Sequence, residues 1–239
     1  MVLINNSCIG CQQCIPYCPV GAILFSVEDR KSEVDLVKCV ECGTCYRSGV
    51  CPVDAIEYTD LEYPRSLRRH FSDPTSKHEL TNMPGRGTEE VKTNDVTNRF
   101  KENEVGVCIE MGRPGIGTSI LDVEKVTKAL SNHGVTYEAK NPLVALFSNM
   151  EKGEFKDEVK GERFLSIIIE FVVPEERTPD VLKTVKRISS EIETVFSISL
   201  AGTIDDDEHI PVMEIADKLG IEHKPNAKIN LGLGRFVEA

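Results

Sequence analysis

Apolar and polar residues alternate most clearly in the second half of the chain. Short runs rich in β-branched residues predict strands at 105–111, 135–139, 164–173 and 194–200, and the nearly continuous apolar run 164–173 is expected to be central. Apolar positions at helical spacing predict helices over 120–130, 181–192 and 211–219, with Gly134 ending the first of them. Residues 143–150 are expected to be helical or to form a packed loop, and a charged turn follows at 151–162. Residues 230–236 are expected to form a terminal strand or tail.

The order of these elements indicates the fold class. The elements follow one another as β-α-β and then β-α-β, which is the split βαβ or ferredoxin-like pattern. Residues 103–239 are therefore predicted to form an α+β domain. Its helix-flanked halves resemble ACT-type modules in topology alone. That resemblance implies binding of a small molecule such as an amino acid, and contact between copies of the chain.

Candidate chemistry is concentrated in the first sixty residues, which hold eight of the nine cysteines. Two runs have the pattern C-x2-C-x2-C followed by a Cys-Pro pair, and the spacing before that pair is three residues in the first run and five in the second. Three cysteines at such intervals on a tight loop can reach three corners of one iron–sulfur cube. Disulfides would require an oxidising compartment, and zinc does not need the third closely spaced cysteine or the proline. The candidate ligands are Cys8, Cys11, Cys14, Cys18, Cys39, Cys42, Cys45 and Cys51.

Residues 1–60 resemble the bacterial two-cluster ferredoxins. The resemblance implies two [4Fe–4S] clusters, with the fourth cysteine of each run binding the other cluster. Cys8, Cys11, Cys14 and Cys51 would then hold one cluster, and Cys39, Cys42, Cys45 and Cys18 the second. It also implies two pseudo-symmetric halves, with strands near residues 2–4, 24–27, 34–36 and 56–58. Apolar side chains would line the clusters: Ile9, Ile15, Val20, Ile23, Val40, Val53 and Ile56.

An internal repeat supports this interpretation. The segment from Cys18 to Ile23 matches the segment from Cys51 to Ile56. The first three cysteines recur at an offset of 31 (39 − 8) and the fourth at 33 (51 − 18). The second run is thus two residues longer than the first.

Composition limits the classes of function. The formal net charge is −11, and residues 1–60 carry four basic and eight acidic side chains. This balance disfavours nucleic-acid binding, and it fits either docking on a basic partner or ordinary solubility. No apolar run reaches the 18 residues of a membrane span, and no signal peptide precedes Cys8. Oxygen-sensitive clusters then indicate the cytoplasm of an anaerobe or microaerophile.

Residues 61–102 are predicted to be a polar connector with one helical turn near 64–70. Two interpretations stay open: a solvated linker, or a segment that becomes ordered on a partner. In the second case the candidate contacts are Arg65, Arg68, Arg69 and Arg86.

Other candidate sites are weaker. The glycine-rich segment 112–119 predicts either a tight turn with Thr118 or Ser119 as N-cap, or an anion site. Cys108 is expected to be a buried apolar side chain, and the acidic segment 205–209 to be solvated rather than a cation site. The five histidines show no metal-ligand spacing: His70, His78, His133, His209 and His223.

The sequence thus predicts electron transfer by two clusters. The leading hypothesis is the iron–sulfur subunit of a larger oxidoreductase complex, next to a catalytic subunit that could contain flavin. The alternative is a redox-coupled sensor that binds an amino acid through its C-terminal domain. No catalytic constellation supports an enzyme acting alone.

Overall fold

The computed structural model describes residues 1–77, 98–113, 115–204 and 209–223. In those residues two small sheets precede a larger four-stranded sheet that carries most of the helices. None of the helices described there is long and apolar enough to cross a membrane.

The N-terminal part is built from two antiparallel strand pairs. Strand β1 (Val2–Ile4) pairs with β4 (Ile56–Tyr58), and β2 (Ile23–Ser26) pairs with β3 (Lys31–Val34). A 3-10 turn (Ile15–Tyr17) lies between the third and fourth cysteines of the first run, and the short helix α1 (Thr44–Arg47) contains the third cysteine of the second, Cys45. The core is small and includes sulfur, since three cysteines pack with the apolar side chains: Val2, Ala22, Ile23, Ile56, Cys14, Cys39 and Cys45.

The C-terminal part is a four-stranded antiparallel sheet covered on one face by two helices. Its strands are β5 (Glu104–Met111), β7 (Thr136–Tyr137), β11 (Ile167–Pro174) and β12 (Phe196–Ala201), in the spatial order β12-β5-β11-β7. Helices α3 (Ile120–Leu130) and α4 (Thr178–Ile188) contact each other over the β5–β11 pair. The α+β class is confirmed, and β11 is central as its apolar run predicts. The ferredoxin-like assignment stays a prediction.

The segment between β7 and β11 contains more structure than the sequence indicates. In place of the expected charged turn at 151–162 there is a hairpin of β8 (Phe147–Asn149) and β9 (Glu154–Phe155), followed by the 3-10 turn Asp157–Val159. Buried Phe155 and Val159 anchor this segment among the charged residues. A 3-10 helix spans Pro142–Leu146, and a short pair joins β6 (Thr118–Ser119) to β10 (Arg163–Phe164).

Some helix boundaries also differ from those that the sequence predicts. Helix α4 begins at Thr178, three residues earlier than expected, and ends at Ile188, four residues earlier than expected. Helix α5 (Pro211–Lys218) is confirmed. The terminal strand predicted near 230–236 lies outside the described residues.

Helix α2 (Ser66–Ser72), which falls in the predicted connector, joins the two parts of the molecule. Its apolar side chains Leu67 and Phe71 belong to the core of the C-terminal part, where the Phe71 ring lies 4.8 Å from that of Phe164. The Ser72 hydroxyl accepts a hydrogen bond from the Leu165 backbone N–H at 2.9 Å. The helical turn expected near 64–70 is thus confirmed, and it is packed rather than solvated.

Helix α2 also carries a buried guanidinium group. Arg68 donates to the Glu162 carboxylate at 2.6 Å and to the backbone carbonyl of Cys39 at 2.7 Å. It also donates to the carbonyls of Leu36 and Val37. Both members of the ion pair are buried. Since Arg68 bonds the cysteine loop as well as Glu162, this one side chain links that loop directly to the C-terminal part.

Removing this guanidinium should destabilise the protein. Arg68→Met leaves the buried Glu162 carboxylate unpaired, with an expected loss of about 3–5 kcal/mol, whereas Arg68→Met/Glu162→Met should recover much of it. Anaerobic urea unfolding measures the effect, and Arg177→Met on an exposed arginine is the control, expected within about 0.5 kcal/mol of wild type. Equal midpoints for Arg68→Met and Arg177→Met would contradict this role.

Candidate metal centres

The structure places the N-terminal cysteines near one another, although among the described residues no three of them are arranged as ligands of a single metal ion. Cys8, Cys11, Cys14 and Cys51 line one cavity, together with apolar side chains that include Ile9, Val53 and Ile56. The burial that raises the pKa of Cys45 to about 12 is reinforced by three neighbouring thiols, those of Cys42, Cys39 and Cys18. These neighbours are compatible with the two ligand sets that the resemblance to ferredoxins implies, and the ligand sets stay a prediction. The binding of individual cysteines to individual irons stays a prediction.

Burial favours the neutral form of three of these thiols, those of Cys14, Cys39 and Cys45. Burial raises the pKa of Cys39 to about 11, and it also raises the pKa of Cys14. Metal binding must therefore displace the thiol protons, and the metal supplies the charge that compensates for burying a thiolate.

The backbone around the two groups is repeated, as the internal repeat predicts. Left-handed residues occur at equivalent positions of the two loops: Gly10 and Glu41, then Gln12 and Gly43, then Gly21 and Asp54. Such conformations turn successive N–H groups toward the inside of a tight loop. The backbone N–H groups of both loops can therefore donate hydrogen bonds to an anionic group held inside the loop.

Several of these donors reach sulfur. The N–H of Ala22 donates to the Cys18 sulfur at 3.0 Å, and the N–H of Ala55 donates to the Cys51 sulfur at 3.2 Å. The Gly10 N–H lies 3.5 Å from the Cys8 sulfur. Hydrogen bonds of this kind stabilise thiolate ligands and raise the reduction potential of a cluster. The donor set thus suits anionic sulfur in both repeats.

The two extra residues of the second run do not disturb this arrangement. They are absorbed by helix α1 and a turn in which the Ser48 hydroxyl donates to the Cys45 carbonyl at 2.8 Å and Gly49 is left-handed. The Ala55 donor to Cys51 matches the Ala22 donor to Cys18 despite the insertion.

The second loop is enclosed by polar residues that follow it in the chain. Glu41 is fully buried, and its carboxylate accepts from the Val2 N–H at 2.8 Å and from Arg65 at 2.6 Å. Arg47 donates to the Cys42 carbonyl at 2.7 Å and pairs with Asp73 at 2.8 Å. These contacts fix the loop from both sides.

Comparison with known proteins agrees with the geometry. Residues 7–55 match the model of the 4Fe-4S dicluster domain family. The N-terminal part is a 4Fe-4S dicluster domain. Two [4Fe–4S] clusters and electron transfer through them follow from that assignment, and the thiols and N–H donors described above fit such groups.

Two curated relatives are similar over this part alone. One subunit of the ion-translocating oxidoreductase complex from Methanosarcina acetivorans is 46% identical over 50 residues, which are 21% of this chain and 17% of that protein. Pyruvate synthase subunit PorD from Methanothermobacter marburgensis is 40% identical over 53 residues, which are 22% of this chain and 57% of that protein. The chain thus spans less than two thirds of the length of either relative.

Three of the connector arginines that were proposed to contact a partner form bonds to other residues of this chain. Arg65 binds Glu41, Arg68 binds Glu162, and Arg69 lies over the Tyr58 ring at 3.8 Å while donating to the Thr59 carbonyl. These three side chains therefore have a structural role, and their role in binding a partner stays a prediction. Arg86 lies outside the described residues.

The other candidates behave as structural elements where they are described. Ser119 caps α3 by accepting from the Asp122 N–H, and Gly117 packs against Val20, so segment 112–119 acts as a tight turn. Cys108 is buried beside Phe100 and Ile168, as expected. Residues 205–208 and His78 lie outside the described part of the chain.

Sequence reasoning missed Glu41 and Asp73. The repeat places Glu41 opposite Gly10, and a left-handed non-glycine residue is uncommon enough to indicate a special role. Asp73 follows α2, where it accepts from Tyr58, Thr75 and Arg47. The repeat offset could have identified Glu41, whereas no local signal identifies Asp73.

If the fourth cysteine of each run binds the other cluster, substitutions in different runs should remove the same cluster. Cys51→Ala and Cys11→Ala should lose the same cluster, and Cys18→Ala and Cys42→Ala should lose the other. The iron content of each variant should fall from about eight irons per chain toward four. Iron analysis with EPR of the reduced protein distinguishes the two signals. Cys108→Ala, which lies in the C-terminal sheet, should retain all the iron. A Cys51→Ala signal matching that of Cys42→Ala would disprove the crossing.

The left-handed Gly10 gives a second prediction. A Cβ there would lie 2.2 Å from the Arg30 carbonyl oxygen, so Gly10→Ala must displace backbone and should impair loading of the first cluster. Gly49→Ala is the matched control, because Gly49 is also left-handed but has open space around it, so that only about 1–2 kcal/mol of conformational strain is expected. The measurement is iron content after anaerobic reconstitution. Equal loading of the two variants would contradict this account.

Proposed function

We propose that this protein is the iron–sulfur subunit of an oxidoreductase complex, in which its two clusters pass single electrons between partner proteins. The observation that carries the proposal is the dicluster domain at residues 7–55, in which Cys8, Cys11, Cys14 and Cys51 line one cavity. Two sites in one small domain make a short path for electrons.

The size and packing of the chain support a dedicated subunit rather than a free carrier. The dicluster domain covers residues 7–55, and the remaining structure is attached to it through buried contacts of Arg68 and Phe71. Both relatives are named as subunits, one of an ion-translocating oxidoreductase complex and one of pyruvate synthase. A catalytic partner with flavin or another redox cofactor, and a cytoplasmic location, are parts of the proposal.

The proposal predicts a redox protein without catalysis of its own. Anaerobically prepared protein should hold about eight irons and take up about two electrons per chain, one per cluster. Potentiometric titration followed by EPR measures this uptake. Reduced protein should then show no substrate turnover until a partner is added. Fewer than about four irons, or zinc in their place, would refute the assignment.

The strand order of the C-terminal sheet favours a second candidate function. With β5, β7, β11 and β12 numbered one to four, the observed order is 4-1-3-2, which suits a ferredoxin-like module of the ACT type. We propose amino-acid binding there as the alternative. A rise in the unfolding temperature with added amino acid, absent when buffer alone is added, would support it.

A further inference from the structure

The two cluster loops are equivalent in sequence and backbone, but water reaches them to different extents. Residues 39–43 of the second loop are all buried, whereas residues 8–12 of the first are partly or fully exposed. The offset of 31 pairs Ile9 with Val40, and their exposed fractions are 63% and 2%. An electron added to a cluster increases its negative charge, which water stabilises. At the second loop this stabilisation must come from the protein.

Helix α2 covers the start of the second loop and brings a positive charge to it. The Nη1 group of Arg68 donates to the backbone carbonyl of Cys39, the first cysteine of the second run, at 2.7 Å. The same nitrogen donates to the carbonyls of Leu36 and Val37 at 3.1 and 3.0 Å. One edge of the guanidinium group is therefore directed at the backbone that leads into the second loop.

The C-terminal part holds the other edges of the same group. The Nε group of Arg68 donates to the Glu162 carboxylate at 2.6 Å, and its Nη2 group donates to the Gly161 carbonyl at 3.3 Å. Because a guanidinium group is a rigid planar fork, its nitrogens donate in different directions. The cation thus contacts the loop directly, while the carboxylate contacts the cation from another edge. Glu162 is itself fixed, since its backbone carbonyl accepts from the Ile120 N–H at the start of α3.

Two other ion pairs at the second loop bring both of their charges to it. Glu41 belongs to the loop, and its buried carboxylate is paired with Arg65 at 2.6 Å. Arg47 pairs with Asp73 at 2.8 Å, and the Asp73 carboxylate also lies beside the loop. In these pairs the cation and the anion largely cancel at the loop. The Arg68 pair differs, because its contacts with the loop come from the cation.

The first loop is in contact with a more exposed cation. Lys31 donates to the Asn6 carbonyl, just before the first cysteine, at 2.9 Å and at the exposed surface. The Arg68 side chain, in contrast, is only 6% exposed. Bulk water screens a charge about fourfold more strongly than the surroundings of a pair at a protein surface, and salt adds to the screening. The charge of Arg68 is therefore expected to act more strongly on its loop than that of Lys31.

We infer that Arg68 raises the reduction potential of the second cluster, and that Glu162 is the residue that positions it. The guanidinium group stabilises the electron that this cluster gains, as water does at the first loop. This inference rests on the proposed function, which requires both clusters to accept electrons. It also gives the C-terminal part a role in electron transfer, because Glu162 and Gly161 fix the cation against the loop.

The test is an anaerobic potentiometric titration of the full chain with both clusters, followed by EPR. Dithionite supplies one electron to each cluster, and the signal that is lost in Cys42→Ala identifies the second cluster. Arg68→Met/Glu162→Met removes the cation from the loop together with its anion, and it should lower the equilibrium constant for reduction of the second cluster at least about fivefold. The first cluster of the same molecule is an internal control, expected to change less than about twofold.

A second variant should shift the potential in the opposite direction. Glu162→Gln keeps the cation and an oxygen acceptor for it but removes the negative charge, so the equilibrium constant for reduction of the second cluster should rise at least about threefold. Loosened packing alone would admit water in both variants and shift them in the same direction. Lys38→Met is the matched control, because Lys38 precedes Cys39 but its side chain is 56% exposed, and a change of less than about twofold is expected.

The outcomes separate this inference from the proposed function. Shifts of the same sign in the two Glu162 variants, or a shift in the double variant no larger than that of Lys38→Met, would overturn the inference. If Glu162→Gln does not hold the second cluster, the double variant decides, and an unchanged potential or a missing second cluster in it overturns the inference. Wild-type chains that hold about eight irons alongside such results would leave the proposed function intact. Wild-type chains without clusters would refute the proposed function itself.

Discussion

A buried guanidinium group is the contact on which the arrangement of this molecule depends. Arg68 bonds the carbonyls that lead into the second cysteine loop and the carboxylate of Glu162 in the C-terminal part. A charge removed from water must be fully paired, so the group tolerates little change in the distance between its partners. The second cluster site is thereby fixed to the larger sheet, while the first site keeps its own backbone but no comparable anchor among the described residues.

The cluster sites could be predicted from the sequence because their chemistry is local. Three ligands of each group lie within seven residues of one another, and the fourth is marked by the following proline. The repeat at offsets of 31 and 33 also predicts the paired left-handed positions and the matched N–H donors to Cys18 and Cys51. Strands β5 and β11 were predictable for a similar reason, since burial on both faces produces long apolar runs.

The contacts between the two parts could not be predicted in the same way. Helix α2 buries only Leu67 and Phe71 in the C-terminal core, which is too few residues for a periodic signal. Its arginines suggest an exposed polar surface until their partners, Glu41 and Glu162, are placed beside them in space. The hairpin at 147–155 was missed because Phe155 and Val159 are scattered among charged residues. In each case the deciding interaction joins residues that are far apart in sequence.

The unequal cover of the two loops also has a consequence for the energy of electron transfer. Each added electron increases negative charge, which water and N–H donors stabilise and an apolar cover does not. The second loop already has its cover, together with guanidinium groups that bond the carbonyls of Cys39 and Cys42. Because the first loop is exposed to water and the second is covered, the two clusters should differ in reduction potential.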